Sequence, residues 1–211
     1  MIGVEPCDCV LLAAGLSSRS TDWKMLLPCG GATMVEASVA AALPACSRVI
    51  VVAGFRAGEI LALFRDRQRV EVAVNPRFQD GMLSSLQCGA AAVRTPRFFL
   101  ALADMPLVST DTYRRLMEAP PADAVIPKYQ GKKGHPLLLS GAVARAAAAA
   151  SQGQTLRDVL AGFATLLLPV EDPHVLHDVD TDRDYRELLG DNLAGRGPAA
   201  PPTAGSSPPG A

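Results

Sequence analysis

The stretch DCVLLAAGLSSRSTDWKMLLP (Asp8–Pro28) changes character halfway. An apolar run through Leu12 gives way to Ala13, Ala14 and Gly15, and the cations Arg19 and Lys24 follow. A glycine at such a turn permits positive φ and lets another group approach the backbone closely, and the amides of a strand-to-loop turn can cradle phosphate oxygens. Arg19 offers a planar donor fork, Lys24 a mobile point charge. The types and spacing suit a polyphosphate cradle. An ordinary loop with two solvated cations fits the same residues. The pattern is neither G-x-x-x-x-G-K-S/T nor G-x-G-x-x-G, which disfavours a P-loop or dinucleotide fingerprint.

Other residues could complete such a site. Asp104, in ALADMPLV, follows an apolar run, where a carboxylate can hold a hard divalent cation such as Mg²⁺ or begin a turn. Asp178 and Asp180, in DVDTDRDY, form a second carboxylate pair that could supply a ligand or cap a helix. Asn75 ends an apolar run, and Ser84 and Ser85 fall at an expected helix start, where serine commonly caps. His135 stands between Gly134 and Pro136, after Lys132 and Lys133, a setting suited to an anionic acceptor or to a solvated loop.

The elements that must position these residues follow from the apolar pattern. Strand-length runs lie at Cys9–Ala14, Arg48–Gly54, Val70–Asn75, Arg97–Asp104 and Asp123–Lys128. Helices are expected near Met34–Leu43, Ala57–Gln68, Ser84–Val93 and Ser109–Ala119. Continuous rather than alternating apolar strands indicate parallel strands covered on both faces, and the βα alternation implies right-handed crossovers in a three-layer α/β/α fold with a mostly parallel sheet. In such sheets ligands sit beyond the carboxyl ends of the strands, which places residues 14–24, 75–85 and 104–106 on one rim.

Lys128–Ser140 reads as a hairpin or lid, AVARAAAAA and TLRDVLAGF as two helices split by SQGQ, and Thr181 with Asp184 as a capping box opening a last helix through Leu189. From Gly190 the chain turns into a Pro/Gly/Ala/Ser tail with no charge after Arg196, too poor in apolar side chains to build a core. The expectation is one domain over residues 1–189 and a disordered tail over 190–211.

Composition narrows the partners. Of 211 residues, 49% are hydrophobic and 19% charged, enough for one α/β domain with a core. A net charge of −1 and 5% aromatics argue against nucleic acid and against a membrane-binding patch. No segment approaches the roughly 18 apolar residues of a membrane span, and Glu5 and Asp8 break any leader-like run. Five scattered cysteines, with Cys7 and Cys9 only one residue apart and no histidine nearby, do not match a zinc site, so free thiols in a reducing cytoplasm are expected.

LLAAGLSSR, with Lys24 five residues after Arg19, resembles the L-A-A-G-x-S-x-R-M-G-x-x-K signature of the MobA-like nucleotidyltransferases. Further matches follow in the family's order: NPRFQDGMLSSLQCG, ALADMPLV, GHPLLL and DVDTDRDY, covering about residues 8–189. Ala14 makes the chain most similar to the molybdenum cofactor cytidylyltransferases, whose guanylyl counterparts typically carry glycine there.

The resemblance implies a Rossmann-like fold of the nucleotide-diphospho-sugar-transferase type. It implies transfer of a nucleotidyl group, preferably CMP from CTP, to the terminal phosphate of a molybdopterin-type cofactor, with Mg²⁺ as cofactor. Arg19, Lys24 and Asp104 would be catalytic. Leu12, Ala13, Ala14, Gly15, Lys24, Asn75, Ser84 and Asp104 would contact the nucleotide, His135 the acceptor, and Asp104 and Asp180 the metal. Partners would be the NTP, a phosphate-bearing cofactor or sugar, and a molybdenum enzyme or its accessory proteins. One departure stands out: Ser20 and Thr21 replace the family's Met-Gly, followed by Asp22 and Trp23. The alternatives are a guanylyl or other NTP transferase acting on a sugar phosphate, and a catalytically weak cofactor-binding accessory protein.

Overall fold

The computed structural model describes residues 6–15 and 23–193. The order is β1 (Asp8–Ala13), β2 (Pro28–Cys29), β3 (Ala32–Thr33), α1 (Met34–Ala42), β4 (Arg48–Ala53), α2 (Ala57–Phe64), β5 (Val70–Val74) and α3 (Met82–Ala90). It continues with β6 (Arg97–Leu102), α4 (Thr110–Met117), β7 (Ala124–Tyr129), β8 (Lys132–Lys133), β9 (Leu137–Ser140), α5 (Gly141–Ala149), α6 (Leu156–Leu160), β10 (Thr165–Pro169) and α7 (Asp182–Leu193).

The main sheet runs β10-β7-β9-β6-β1-β4-β5, with β8 paired to β7 at one end. β1 pairs in parallel with both β4 and β6, β4 with β5, and β10 with β7. β9 alone on this path runs the other way, wedged antiparallel between β6 and β7. The short strands β2 and β3 form a separate ribbon.

Successive strand residues point to opposite faces, and the core divides accordingly. Leu11, Val49, Val51, Phe99 and Ala101 pack with Val35 and Val39 of α1, Ile60 and Phe64 of α2, and Tyr113 and Leu116 of α4. Val10, Ile50, Val52, Phe98 and Leu100 face the other way, against Leu83 and Leu86 of α3, Val143 and Ala147 of α5, and Val159 of α6. These are the three layers that continuous apolar strands require. At Gly89 a Cβ would lie 2.4 Å from Val10 Cγ1 and 2.7 Å from Val52 Cγ2, so glycine lets α3 settle directly on β1 and β4.

The expected helix Ser84–Val93 begins earlier, at Met82, and its N-cap is Gly81 at φ 95°; Ser84 lies inside the helix. Helix α2 ends at Phe64 rather than Gln68, where Arg65, Asp66 and Arg67 are exposed and no apolar face continues. Helix α7 runs past Leu189 to Leu193. At its start Asp184 accepts from Thr181 N at 2.7 Å while Asp184 N donates to Thr181 Oγ1 at 3.2 Å, the reciprocal cap that the sequence indicates. The rest of the expected tail, 194–211, lies outside the described residues. No helix among the described residues is long and apolar enough to cross a membrane.

Candidate active site

The carboxyl ends of β5, β4, β1 and β6 lie side by side in the sheet, so the turns after them share one rim. Gly54, just after β4, marks how tightly those turns converge. A Cβ there would stand 2.5 Å from Phe78 Cβ and 3.0 Å from Ala14 Cβ. Ala103 N donates to Leu12 O at 3.0 Å, extending the β1–β6 register toward Asp104. Val179 N donates to Asp104 O at 2.9 Å, which draws the DVDTD segment across from the far end of the sequence.

At this junction the predicted ion-binding residues meet. Lys24, opening the 3-10 turn Lys24–Leu26, places Nζ 2.7 Å from Asp104 Oδ2 and 2.8 Å from Asp180 Oδ1. The lysine is only 9% exposed. Burial disfavours its ammonium, but the charge and hydrogen bond of Asp104, joined by those of Asp180, raise the pKa above the ordinary lysine value. Lys24 therefore stays protonated between two carboxylates. Asp178, by contrast, is exposed; partial burial raises its carboxyl pKa, and the like charges of Asp180 and Asp104 push the same way.

The carboxylate pair fits a hard cation. Two oxygens from separate loops already converge on one positive centre, and the lysine ammonium stands where such a cation would be held. Among the described residues no group of three or more His, Cys, Asp or Glu side chains could hold a metal ion. Two carboxylates suffice for an ion of the magnesium type, which keeps several waters and completes its octahedron with substrate phosphates.

The loop after β1 is described at its two ends only; Arg19, with Ser20, Thr21 and Asp22, lies outside the described residues. Leu12 is half-buried, Ala13 and Ala14 are buried, and Gly15 is exposed. Gly15 does not use the positive φ that glycine permits, whereas Gly81 and Gly131 do. What it leaves is space, since a Cβ there would meet nothing within 4 Å among the described residues. On the other side of the loop Trp23 is buried, its indole Nε1 donating to Gly15 O at 3.3 Å. Its ring meets Phe55 edge-on at 5.9 Å, and the Arg56 guanidinium lies 5.2 Å from the ring centroid. Neither Trp23 nor Arg56 is marked in the sequence: Trp23 stands there only as a residue that follows the Ser20–Thr21 departure, and nothing in GFRAGEI places Arg56 over the Trp23 ring.

Asn75 and Ser84 come together, but mainly with each other. Asn75 is 2% exposed; its Nδ2 donates to Ser84 Oγ at 3.0 Å and Ser85 Oγ at 3.1 Å, while Oδ1 accepts from Arg77 N at 2.9 Å. Ser84 Oγ lies 2.8 Å from Gly81 O and 2.9 Å from Arg77 O. This network ties the end of β5 to the first turn of α3.

His135 sits on the β9 side. Gly134 packs against the 3-10 turn Pro173–Leu176 so closely that a Cβ would come within 2.2 Å of Val175 O. His135 N donates to that same carbonyl at 2.9 Å, and a cis peptide joins His135 to Pro136. The Nδ1 atom is buried with no hydrogen-bond partner among the described residues. Burial lowers the imidazole pKa, against the opposing effects of the Leu100 backbone and the Asp104 charge. His135 is therefore a largely buried ring with one unsatisfied nitrogen and a lowered imidazole pKa, rather than a side chain solvated in a loop. Lys132 and Lys133, on β8, are exposed.

Comparisons with known proteins identify the family. A family model described as the MobA-like NTP transferase domain matches residues 9–170. The chain is 32% identical to the molybdenum cofactor cytidylyltransferase of Escherichia coli K12 over 178 residues, 84% of this chain and 93% of that protein. Among solved structures, a nucleotidyl transferase from Methanothermobacter thermautotroptrophicus superposes with a TM-score of 0.79 at 26% identity, covering 90% of this chain and 98% of that one. A Mycobacterium tuberculosis H37Rv protein solved in complex with manganese gives 0.73 at 29% identity, covering 88% and 98%. With the family model over residues 9–170 and the E. coli relative, the chain belongs to the MobA-like NTP transferase family and is a nucleotidyltransferase.

Proposed function

We propose that this enzyme transfers CMP from CTP to the terminal phosphate of a molybdopterin-type cofactor and releases pyrophosphate, in the cytoplasm and in service of a molybdenum enzyme. The observation that carries the reading is the meeting of Lys24 with Asp104 and Asp180 at the rim. The choice of CTP and of the acceptor rests on the name of the E. coli relative and on Ala14 in LLAAG.

The acceptor phosphate attacks the α-phosphorus in line, so the protein mainly positions reactants and neutralises charge. The open side of Gly15 lets triphosphate oxygens reach the backbone. Lys24, with Arg19 from the same loop, holds the triphosphate and stabilises charge on the transferring group. Asp104 and Asp180 would hold Mg²⁺, which would supply neutralisation of phosphate charge when bound. The Asn75–Ser84 network shapes the floor on which base and ribose rest. His135 offers the acceptor a hydrogen bond, and exposed Lys132 and Lys133 attract its phosphate.

Pyrophosphate release is the test, measured with each of the four NTPs against molybdopterin and against sugar 1-phosphates. CTP with molybdopterin is expected to be the productive pair, and Asp104→Ala to abolish it with the melting temperature nearly unchanged. Preference for a sugar phosphate would move the enzyme to another branch of the family. No release with any NTP would leave the accessory-protein reading.

A further inference from the structure

We infer that Lys24 and the divalent cation are alternative occupants of the Asp104–Asp180 pair, so that free metal is held off until a triphosphate gives the lysine somewhere else to go. This rests on the proposed metal role of the two aspartates.

The argument begins with distance. Lys24 Nζ lies 2.7 Å from Asp104 Oδ2 and 2.8 Å from Asp180 Oδ1. An ion of the magnesium type needs carboxylate oxygens at about 2.0–2.1 Å, which brings it into the space that the ammonium fills. Two cations on the same two oxygens repel strongly at this separation, and water screens them only in part, because the Lys24 and Asp104 side chains are mostly buried. One of them must leave.

The lysine can leave without unfolding the turn. Its neighbours Trp23 and Met25 are buried, and its carbonyl accepts from Leu27 N at 3.1 Å. Trp23 is further pinned through Gly15 O at 3.3 Å. The backbone is thus fixed on both sides of Lys24, and the exchange is a rotation of one four-carbon side chain.

Leaving costs two charge-assisted hydrogen bonds. Metal alone has to bear that cost, whereas a triphosphate beside Gly15 offers the displaced ammonium new oxygens. Metal and nucleotide therefore help each other to bind, each raising the other's affinity by the same factor. Free divalent cation would occupy the resting enzyme sparsely, and the metal would enter with its NTP.

The test is Mn²⁺ titration of the full chain without nucleotide, read from the electron paramagnetic resonance of free Mn²⁺. Lys24→Met is expected to bind Mn²⁺ at least about tenfold more tightly than wild type, since two charge-assisted contacts no longer oppose it. Adding CTP to wild type should produce a comparable gain, and Asp104→Asn should lose Mn²⁺ in both backgrounds. Wild-type protein supplies a second readout independent of any variant. Saturating Mn²⁺ alone should increase labelling of Lys24 by a small amine reagent several-fold, measured by mass spectrometry. Equal or weaker Mn²⁺ binding by Lys24→Met, or labelling unmoved by the metal, overturns the exchange even if Asp104→Asn still abolishes binding. Mn²⁺ binding that survives Asp104→Asn overturns it as well, and in that case the metal reading itself has failed first.

Discussion

Replacing Asn75 separates a strut from a ligand contact. The side chain makes three hydrogen bonds, two from Nδ2 to the hydroxyls of Ser84 and Ser85 and one at Oδ1 from Arg77 N. Ser84 has one hydroxyl proton and two backbone carbonyls to receive it, at 2.8 and 2.9 Å, so its oxygen meets Asn75 as an acceptor. Asn75→Ala removes all three bonds and strands the Arg77 amide. With about 1 kcal/mol for each of the two Nδ2 bonds and about 1–3 kcal/mol for the stranded Arg77 donor, the loss is about 3–5 kcal/mol. In a domain of this size that lowers Tm by about 6–20 °C. Asn75→Asp should fare no better, because it buries a carboxylate where amide hydrogens were needed. Urea unfolding supplies the stability and calorimetric titration of CTP the affinity. A variant with unchanged midpoint and m-value but lost nucleotide binding would refute the reasoning, since the side chain would then turn to the ligand rather than brace β5 against α3.

Three further perturbations test neighbouring parts. Gly134→Ala drives a methyl into the Val175 carbonyl, so Tm should fall and, because His135 shifts with it, acceptor KM should rise more than NTP KM. Asp8→Ala removes a buried carboxylate that accepts from Arg48 Nη2 at 3.0 Å and Arg94 N at 2.8 Å; it should cost about 3–5 kcal/mol in urea unfolding, yet spare turnover in the folded fraction, because Asp8 starts β1 and the site lies beyond its other end. Asp172 is partly buried, which would raise its pKa, but bonds from His174, Ser109 and Thr112 hold it well below the ordinary range. A depressed folded pKa stabilises above the unfolded value of about 3.9 and loses that stability as pH falls below it, so Asp172→Asn should flatten the acid limb of the stability curve.

The central sheet was legible because its physics is one-dimensional. β1, β4 and β6 are apolar on both faces, and that pattern implies burial on both faces wherever the chain goes next; the expected and observed starts of β4, β5 and β6 coincide. Direction is another matter. Leu137–Leu139 is as apolar as the parallel strands, and no residue in it announces that β9 runs antiparallel between β6 and β7. The β5 segment VEVAV reads as a core strand but closes an edge of the sheet, with Val74 45% exposed; its alternating Glu71 was the available clue. Gly81 rather than serine caps α3 because the chain leaves the preceding 3-10 turn at φ 95°, a conformation that favours glycine.

The site was legible in its parts but not in its bonding. Lys24, Asp104 and Asp180 were each marked by residue type at the end of an element, and the rule that ligands gather beyond carboxyl ends brought two of them to one rim. That Lys24 joins both carboxylates at once depends on three loops closing together. Trp23 fixes the first through Gly15 O, the β1–β6 register carries the second, and Val179 N on Asp104 O draws in the third. The second and third of these constraints join segments far apart in sequence. The same bonding alters what Lys24 is. By spacing it is a candidate phosphate-seeking cation, whereas the folded chain pairs it with Asp104 and Asp180, and on the exchange proposed above it holds that pair until phosphate arrives. Substitution of Lys24 should therefore weaken nucleotide binding and strengthen metal binding together, a pairing of opposite signs that neither a simple phosphate anchor nor a simple structural ion pair would produce.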